Sequence, residues 1–522
     1  MTEGIRSTGG GRLARRYHVV ILGGAFSGAS AAILLRRELP QLKVLIVEKA
    51  ERFDEKVGEA TTELAAMFLT RRLALWEHLR TNHLPKEGLR YWFGNEKVSR
   101  HAEATESGGD LRSAVPSFQL RRDVLDEHLL ATAVREGADL LRPARVTDVR
   151  IGEFDHEVSV ESGDGTISIS CDWVLDASGR ANIVGRKLGL IERNEAHPVA
   201  AMWGRWRKVR DIDDIAAREG GEFAARNVGS RRLATNHYMG RGYWVWVIPL
   251  GNGETSIGVV WDRRLVGLHE SGHRKADYVT FLTAIPALRE LLAGAEMRAE
   301  DLRFYSHLAY STKEYMGKGW ALLGDAAVFL DPYYSPGLDH AAFSIEATVE
   351  IIRKWAEEED VSRSIAEHNA TFIRSYRRFF EAVYRGKYFY MGEADLVTAS
   401  FLLDTAHYYI FVVIPAYRIF KRFHWMPVLG PAGAFFSYRL MRLYNRRFVA
   451  LAERRRRTGS EGRRNHGRRI RAWFDLRFGP MWMLLRGLKL WLYAELDGVR
   501  LRFRRNTEPD EVRGEEEIEA RG

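Results

Sequence analysis

A glycine-rich turn between an apolar segment and a helix-like segment places the strongest constraint on the fold of this 522-residue chain. The turn, Gly-Gly-Ala-Phe-Ser-Gly at residues 23–28, follows Tyr-His-Val-Val-Ile-Leu at 17–22, which is typical of a buried strand. A helix rich in small residues is predicted over 29–38, and a second strand over 44–47, ending at Glu48. Because a βαβ unit requires a parallel sheet and a right-handed crossover, the first fifty residues predict a doubly wound α/β domain.

The turn also has the chemistry of a dinucleotide site. Gly23 permits the tight strand-to-helix turn, Gly28 allows helix and strand to pack closely, and the helix N-terminus offers backbone N–H groups to a pyrophosphate. Ala25 replaces the usual middle glycine, so the phosphates have a narrower approach. Glu48 is placed to accept a hydrogen bond from a ribose hydroxyl. The candidate cofactor-binding residues here are Gly23, Ala25, Ser27, Gly28, Glu48 and Lys49.

A second set of segments narrows the cofactor. Residues 119–126 (Gln-Leu-Arg-Arg-Asp-Val-Leu-Asp), 176–180 (Asp-Ala-Ser-Gly-Arg) and 324–327 (Gly-Asp-Ala-Ala) occur in the order found in flavin monooxygenases and halogenases, which this chain resembles. The resemblance implies FAD, with Arg122 and Asp325 at the cofactor and Asp325 placed to bond a ribityl hydroxyl. A helix N-cap is the alternative role for Asp325. Since no second glycine fingerprint is present, electrons are expected from a separate flavin reductase or from transient NAD(P)H docking.

Two motifs make the resemblance to flavin-dependent halogenases more specific. Trp244-Val-Trp246-Val-Ile-Pro matches the family's Trp-x-Trp-x-Ile-Pro motif, in which the indoles keep organic substrate away from the flavin. Spacing alone would favour an ordinary half-buried strand, but the full six-residue match does not. Lys86, after the Val-Gly-Glu-Ala-Thr segment at 57–61, stands where the family has its reactive lysine. The resemblance implies that its ammonium bonds hypohalous acid, or that its free amine forms a haloamine.

The third motif is the loop at 329–337, Phe-Leu-Asp-Pro-Tyr-Tyr-Ser-Pro-Gly, which matches the family's Phe-x-x-Pro-x-x-Ser-x-Gly signature. The resemblance implies that this loop passes over the flavin and holds halide near Ser335, Pro336 and Gly337, with Leu338 at the cofactor. Pro336 has no N–H to donate, so either halide binds weakly or Gly337 and Leu338 serve instead. Tyr334 stands where tryptophan-specific halogenases carry a glutamate, which disfavours free tryptophan as substrate.

Composition and motif searches exclude several other classes. A single cysteine, Cys171, excludes an intramolecular disulfide and any cysteine-based metal site, and the histidines are scattered, so we predict no metal. No Gly-x-Ser-x-Gly elbow or P-loop supports a hydrolase or kinase. The N-terminal segment lacks an apolar export signal, and we expect a cytoplasmic protein.

The predicted fold class is α/β: a discontinuous doubly wound FAD-binding domain, an inserted β-rich substrate domain and a C-terminal α-helical region. The FAD-binding domain is predicted at 15–60, 115–190 and 300–360, and the substrate domain at 61–114 and 191–299. The helical region is predicted at 361–505, followed by an acidic tail at 506–522 that is expected to be disordered.

The C-terminal region is rich in arginine and aromatic residues, and three interpretations stay open. Its helices pack their aromatic side on the core, or they attach peripherally to an anionic membrane, or they dock an acyl or peptidyl carrier protein. Charged residues and a proline interrupt the apolar segment 401–420, which argues against a membrane span. Nucleic acid is not expected, because no nucleic-acid-binding fold accompanies the charge.

Together these features predict an enzyme of secondary metabolism that uses reduced FAD, oxygen and chloride or bromide to halogenate an electron-rich, phenol- or pyrrole-like substrate through hypohalous acid. Three alternatives stay open: an FAD-dependent monooxygenase, an isoprenoid-type flavin reductase, and a non-catalytic flavin-binding protein at a membrane. Pro336 is the best support for the monooxygenase.

Overall fold

The computed structural model describes residues 14–94, 97–108, 116–163, 165–225, 227, 229–268, 272–419, 429–430, 434–465, 469–470 and 479–505. The predicted acidic tail at 506–522 lies outside these residues.

The first sheet has the strand order of a doubly wound fold. Its central strand, Arg16–Leu22, pairs in parallel with Val44–Val47 on one side and with Gly165–Asp176 on the other. Asp139–Leu141 extends the first side and Trp320–Leu322 the second, both in parallel. Antiparallel strands complete the sheet at Met316–Gly317, Ala144–Arg150 and His156–Ser162. Numbered along the chain, the five parallel strands lie in the order 3-2-1-4-5, which puts the topological switch point between Leu22 and Asp176.

Three helices cover this sheet around a core of aliphatic side chains: Phe26–Glu38, Arg122–Arg135 and Gly337–Ala356. The first begins at Phe26 rather than at the predicted residue 29. Gly23, with its positive φ, turns the chain at the end of the strand, and the helix begins three residues later. The long third helix begins at Gly337, directly after the loop singled out in the sequence.

The second sheet is mostly antiparallel and buried on both faces. Its strands are Glu296–Met297, Val199–Arg207, Glu254–Asp262, Tyr243–Pro249, Thr235–Gly240, Leu89–Phe93, Thr105–Gly108, Arg469–Ile470 and Arg303–Tyr305. The alternating large residues of Tyr243–Pro249 thus form a central strand. Arg469–Ile470 comes from the C-terminal region and pairs with Thr105–Gly108, a connection that the sequence did not indicate.

Shorter elements link the two sheets. Two-stranded sheets form from Leu84–Pro85 with Phe118–Gln119 and from Ile191–Arg193 with Tyr310–Thr312. Short helices lie at Glu63–Met67, Phe68–Arg72, Trp76–Asn82, Ile183–Lys187, Ile212–Glu219, Gly221–Ala225, Arg274–Ala284 and Pro286–Leu291.

The C-terminal region is helical and shares one core with a face of the second sheet. Its helical segments are Ser362–Phe379, Phe380–Tyr384, Ala394–Tyr408, Tyr409–Val413, Ile414–Ile419, Phe435–Arg457 and Gly479–Arg505. Phe401 and Tyr444 of these helices lie in the same apolar cluster as Tyr91 and Trp244 of the sheet. The mixed α/β class is confirmed, whereas the exact domain boundaries stay a prediction.

One helical stretch of the described chain, Ala394–Ala416, is long and apolar enough to cross a membrane by length and composition. Of its most apolar window, 67% is buried inside the protein, and Asp404 and His407 within it are both buried. This burial is the pattern of a core helix.

Candidate functional site

The glycine turn is sterically fixed at two positions. Gly23 has φ +102° and donates its N–H to Val47 O at 2.9 Å, and a Cβ on it would lie 2.7 Å from Ala177 O. A Cβ on Gly28 would overlap the carbonyl oxygen of Gly23. Glycine is therefore required at both ends of the turn, while Ala25 and Ser27 between them are half-buried.

Glu48 is held at the end of the second strand by two backbone groups. Its Oε2 accepts from Gly24 N and its Oε1 from Ala50 N, each at 2.8 Å. Each oxygen keeps a lone pair that a hydroxyl can use. Lys49 is exposed, and a cofactor role for it stays a prediction.

Asp325 lies in a single 3-10 turn, Gly324–Ala326, that follows the strand Trp320–Leu322. The turn meets the glycine turn, because a Cβ on Gly324 would be 2.8 Å from Ser27 Oγ. Burial raises the pKa of Asp325, and the cations of Arg180 and Arg122 oppose that shift. No donor among the described residues bonds the Asp325 carboxylate.

Arg122 approaches the same crevice from the other side. It binds Asp126 at 3.1 Å and donates to Val57 O at 3.0 Å, and a Cβ on Gly58 would collide with its guanidinium. Three features of this crevice match parts of FAD. The N-terminus of the first helix suits the phosphates, and the Glu48 carboxylate suits the ribose. The Asp325 carboxylate, beside Ser27, suits the ribityl hydroxyls. The residues present therefore fit the cofactor.

Lys86 is half-buried, and its Nζ donates to the carbonyl oxygen of Thr61 at 2.8 Å. The backbone is fixed on both sides, because Lys86 N donates to Ser117 O at 2.8 Å and Ser117 Oγ donates to Lys86 O at 3.1 Å. Burial lowers the pKa of Lys86 to about 8, while the carboxylates of Glu63 and Asp339 oppose the shift. A rigid amine near its titration point is unlike a solvated surface lysine.

Asp339, which the sequence did not single out, connects the Lys86 segment to the long helix. Its Oδ1 accepts from Thr62 Oγ1 and, at 3.0 Å, from Ala65 N, and its Oδ2 accepts from Tyr408 OH at 3.1 Å. Burial raises the pKa of Asp339 to about 7 against these hydrogen bonds. The only signal in the sequence was an acid in the first turn of a helix, which is too common to point to a site.

The loop before that helix holds two consecutive residues in a left-handed conformation, Tyr334 at φ +72° and Ser335 at φ +55°. Such backbone is costly for residues with a Cβ and persists only where the surroundings enforce it. Pro336 follows as the residue that caps the helix, and Gly337 and Leu338 open it. The N–H groups of Gly337 and Leu338 have no acceptor within the described chain, and a Cβ on Gly337 would meet open space.

A buried chain of hydrogen bonds joins this loop to the first tryptophan of the Trp-x-Trp motif. Trp244 Nε1 donates to Tyr388 OH at 3.0 Å, and Tyr388 OH donates to Asp331 Oδ2 at 2.9 Å. His197 Nε2 lies 2.8 Å from the same Oδ2, and Tyr333 N donates to Asp331 Oδ1 at 2.9 Å. Hydrogen bonds to Asp331 therefore hold both the loop at 329–337 and, through Tyr388, the indole of Trp244.

Trp246 is fixed separately. Its Nε1 donates to Ser256 Oγ at 3.1 Å, and its ring covers Gly258, where a Cβ would collide with it. The ring centroids of Trp244 and Trp246 are 5.7 Å apart, and that of Tyr333 is 5.3 Å from Trp244. Both indoles are buried and lie in one aromatic wall beside the loop.

The C-terminal helices supply a second support. Tyr334 OH donates to Asp404 Oδ2 at 3.0 Å, and Lys387 Nζ donates to the same oxygen at 2.8 Å. Tyr444 OH donates to Asp404 Oδ1 at 2.5 Å, and Tyr384 OH donates to Tyr333 O at 2.6 Å. Burial disfavours the ammonium of Lys387, but the Asp404 carboxylate outweighs it and raises the pKa of Lys387. No motif contains the residues that hold the loop here, Lys387, Tyr384, Asp404 and Tyr444, so sequence reasoning could not find them.

Three of the scattered histidines, His101, His128 and His340, differ in placement. His101 is fully buried and its Nε2 lies 2.9 Å from Tyr238 OH, while His128 stacks on His78 with centroids 3.7 Å apart. His340 is half-buried, and burial lowers its pKa to about 4.

Comparison with known proteins agrees with this geometry. The chain matches the tryptophan halogenase family over residues 18–102 and 76–388. It is 27% identical over 452 residues to the flavin-dependent halogenase chlA of Dictyostelium discoideum, which covers 79% of this chain and 72% of that protein. It is also 27% identical over 385 residues to a 1H-pyrrole-2-carbonyl peptidyl-carrier-protein chlorinase of Pseudomonas fluorescens, covering 69% and 80% respectively.

Solved structures share the fold. The halogenase PltM in complex with phloroglucinol and FAD superimposes with a TM-score of 0.71 at 17% identity, covering 92% of this chain and 96% of that one. The flavin-dependent halogenase CmlS gives a TM-score of 0.60 at 22% identity, covering 72% and 65%. The predicted enzyme class and its use of FAD, oxygen and halide are confirmed. The chain belongs to the tryptophan halogenase family of flavin-dependent halogenases.

Proposed function

We propose that this protein halogenates an electron-rich aromatic substrate, phenol- or pyrrole-like, through hypohalous acid that Lys86 directs. The observation that carries the proposal is the environment of Lys86: a rigid, half-buried amine with a pKa of about 8, whose one hydrogen-bond acceptor among the described residues is Thr61 O. An ammonium in that position retains donors for a small oxidant.

When bound, reduced FAD supplies two electrons, so that FADH₂, O₂, halide and a proton give FAD, hypohalous acid and water. Hypohalous acid then replaces a ring hydrogen by halogen, with water as the second product. The residues of this chain have to bind halide, keep the organic substrate apart from the flavin, and position the oxidant.

Halide binding is assigned to the loop and helix start at Ser335, Gly337 and Leu338. Pro336 cannot donate, but it caps the helix, so the unbonded N–H groups of Gly337 and Leu338 follow it directly. Both N–H groups lie at the positive end of a 20-residue helix. This arrangement supports the alternative in which Gly337 and Leu338, rather than Pro336, donate to halide.

Positioning the oxidant is assigned to the Lys86 ammonium. A hydrogen bond from Nζ polarises hypohalous acid so that its halogen becomes more electrophilic, and loss of the ring proton completes the substitution. Asp339, with a pKa of about 7, lies close enough to act on the charge of Lys86.

Screening is assigned to Trp244 and Trp246. Their buried indoles form an aromatic wall beside the loop, and such a wall would keep an aromatic ring from the flavin for as long as it holds its position. The chain of Trp244, Tyr388 and Asp331 maintains that position, so the oxidant reaches substrate with little loss to water.

Two related proteins and the residue at position 334 support the proposed substrate class. A related protein is a chlorinase of a pyrrole on a peptidyl carrier protein, which supports a pyrrole-like and carrier-borne substrate. The phloroglucinol complex of PltM supports a phenol. Tyr334 bonded to Asp404 disfavours free tryptophan. Electrons are expected from a separate flavin reductase.

The direct test is incubation with a flavin reductase, FAD, NADH and bromide over a panel of phenols and pyrroles, free and carrier-bound. A bromine isotope doublet in the product mass supports the proposal. A product that gains only one oxygen atom would instead identify the monooxygenase that Pro336 suggested. Turnover without oxygen would identify the reductase, and a reaction with no product and no oxygen consumption above that of an enzyme-free control would leave a binding protein.

A further inference from the structure

The last described helix, Gly479–Arg505, has one face against the protein and the opposite face in solvent. Its inner face packs on Ala394–Tyr408 so closely that a Cβ on Gly487 would lie 2.7 Å from the Leu403 side chain. Its outer face carries large apolar side chains, each 46–58% exposed: Trp482, Leu485, Leu492, Tyr493, Leu496 and Val499.

These six side chains form one continuous stripe. At about 100° per residue they all project within an arc of about 120°, and at about 1.5 Å per residue they extend over roughly 25 Å. Large apolar residues scattered singly over a surface need no explanation, but a stripe of this length marks a contact with an apolar partner.

The charges on the stripe have one sign. Lys489 and Arg500 lie within the same arc, both exposed, and neither forms a salt bridge with a carboxylate in the described part of the chain. The two acids nearby belong to other faces: Glu495 binds Arg447 at 2.6 Å, and buried Asp497 binds Arg464 at 3.2 Å.

The neighbouring helix, Phe435–Arg457, has the same character. Trp491 packs against Tyr444 of that helix with ring centroids 6.1 Å apart. Phe436 is 76% exposed, and Arg439 is exposed beside it without a salt bridge to a described residue. Both of these packed helices therefore expose apolar and cationic side chains.

We propose that the helix Gly479–Arg505 binds the surface of a lipid bilayer that contains anionic lipid. The interfacial region of a bilayer takes apolar and aromatic side chains along the whole length of a helix that lies flat, while cations meet the headgroups. A second copy of the chain fits less well, because Lys489 and Arg500 would face like charges. An acidic carrier protein would account for the cations. It would not account for the apolar stripe, because its recognition does not require an apolar surface of that length.

The test is cosedimentation of the full chain with vesicles of phosphatidylcholine, with and without phosphatidylglycerol. The chain should bind the anionic vesicles at least about tenfold more tightly, since each cation near a charged surface contributes about 1 kcal/mol. Leu485→Glu/Leu492→Glu should weaken that binding at least about tenfold. Leu188→Glu, an exposed leucine on the first domain, is the matched control and should bind as the unaltered chain does.

A second variant tests the charge separately: Lys489→Glu/Arg500→Glu should remove the preference for anionic vesicles. Circular dichroism and urea unfolding, measured without lipid, report that every variant is folded. The proposal is overturned if the unaltered chain binds neither vesicle, or if Leu485→Glu/Leu492→Glu binds as well as the control. It is also overturned if that variant halves the mass measured by light scattering without lipid, which would identify a second copy as the occupant.

Discussion

Tyr334 donates a hydrogen bond of 3.0 Å to Asp404, which joins the loop before the long helix to a helix of the C-terminal region. Tyr334 and Ser335 both have a left-handed backbone, and such a conformation needs external support. The Asp404 carboxylate, held by Lys387 and Tyr444, provides it. The C-terminal helices therefore shape the proposed halide site.

Asp404→Asn should destabilise the fold by about 3–5 kcal/mol, because it leaves the buried Lys387 ammonium without its counter-charge. Lys387→Met/Asp404→Asn should recover part of that loss. Because the loop loses its support, KM for bromide should rise more than kcat falls. Urea unfolding measures the change in stability, and halide titration measures KM and kcat. Glu393→Gln, which breaks the buried Arg455–Glu393 pair away from the loop, is the control: it should destabilise the fold without changing KM for bromide.

Tyr388→Phe should uncouple flavin oxidation from halogenation. It removes the acceptor of Trp244 Nε1 and one donor to Asp331, at a cost of about 1–3 kcal/mol. With the indole free to move, fewer flavin oxidation events should end in product. Tyr278→Phe removes a similar Trp–Tyr hydrogen bond on the other face of the sheet and should leave that ratio unchanged. If product formed per flavin oxidation event is unchanged in both variants, the hydrogen bonds of Tyr388 do not keep Trp244 in its screening position.

Pro336→Ala restores an N–H at the residue after Ser335 and tests the register of the halide site. Since Gly337 and Leu338 already provide two donors, KM for bromide should change by less than about threefold. Pro286→Ala, at the first position of another helix, controls for the general effect of losing proline. A fall in KM of about tenfold or more would show instead that halide binds at position 336.

Lys86→Met should stabilise the folded protein at pH 7. The unfolded chain keeps the Lys86 proton up to a pKa near 10.5, whereas the folded chain loses it near 8. Between these values unfolding takes up a proton, so stability rises with pH, and the penalty of the buried ammonium is greatest below pH 8. The expected gain is up to about 3 kcal/mol at pH 7, declining as pH rises to 10.5.

Unfolding by urea at several pH values measures this gain. Lys318→Met, at an exposed ion pair with Glu153, should stay within about 0.5 kcal/mol at every pH. A Lys86→Met protein that is less stable than the unaltered chain at pH 7 would contradict the lowered pKa.

The sequence predicted the parts of the site that depend on local pattern. Gly23, Gly28 and Glu48 are specified by one βαβ unit, so their placement follows from strand and helix periodicity alone. Lys86 and the Trp-x-Trp strand were found through motifs. Asp404, Lys387, Tyr388 and His197 could not be predicted, since each acts through contacts between segments that are distant in the chain and carries no local signature. Roles of individual residues stay predictions until they are tested.

The central claim is that Lys86 directs an oxidised halogen to substrate, and the Lys86→Ala variant tests it most directly. Oxidation of reduced FAD by oxygen and formation of brominated product are measured in the same reaction, with FAD, reductase, bromide and a substrate identified by the panel. Product formation should fall at least about 100-fold, while flavin oxidation stays within about twofold. Bromination at the unaltered rate would contradict the account.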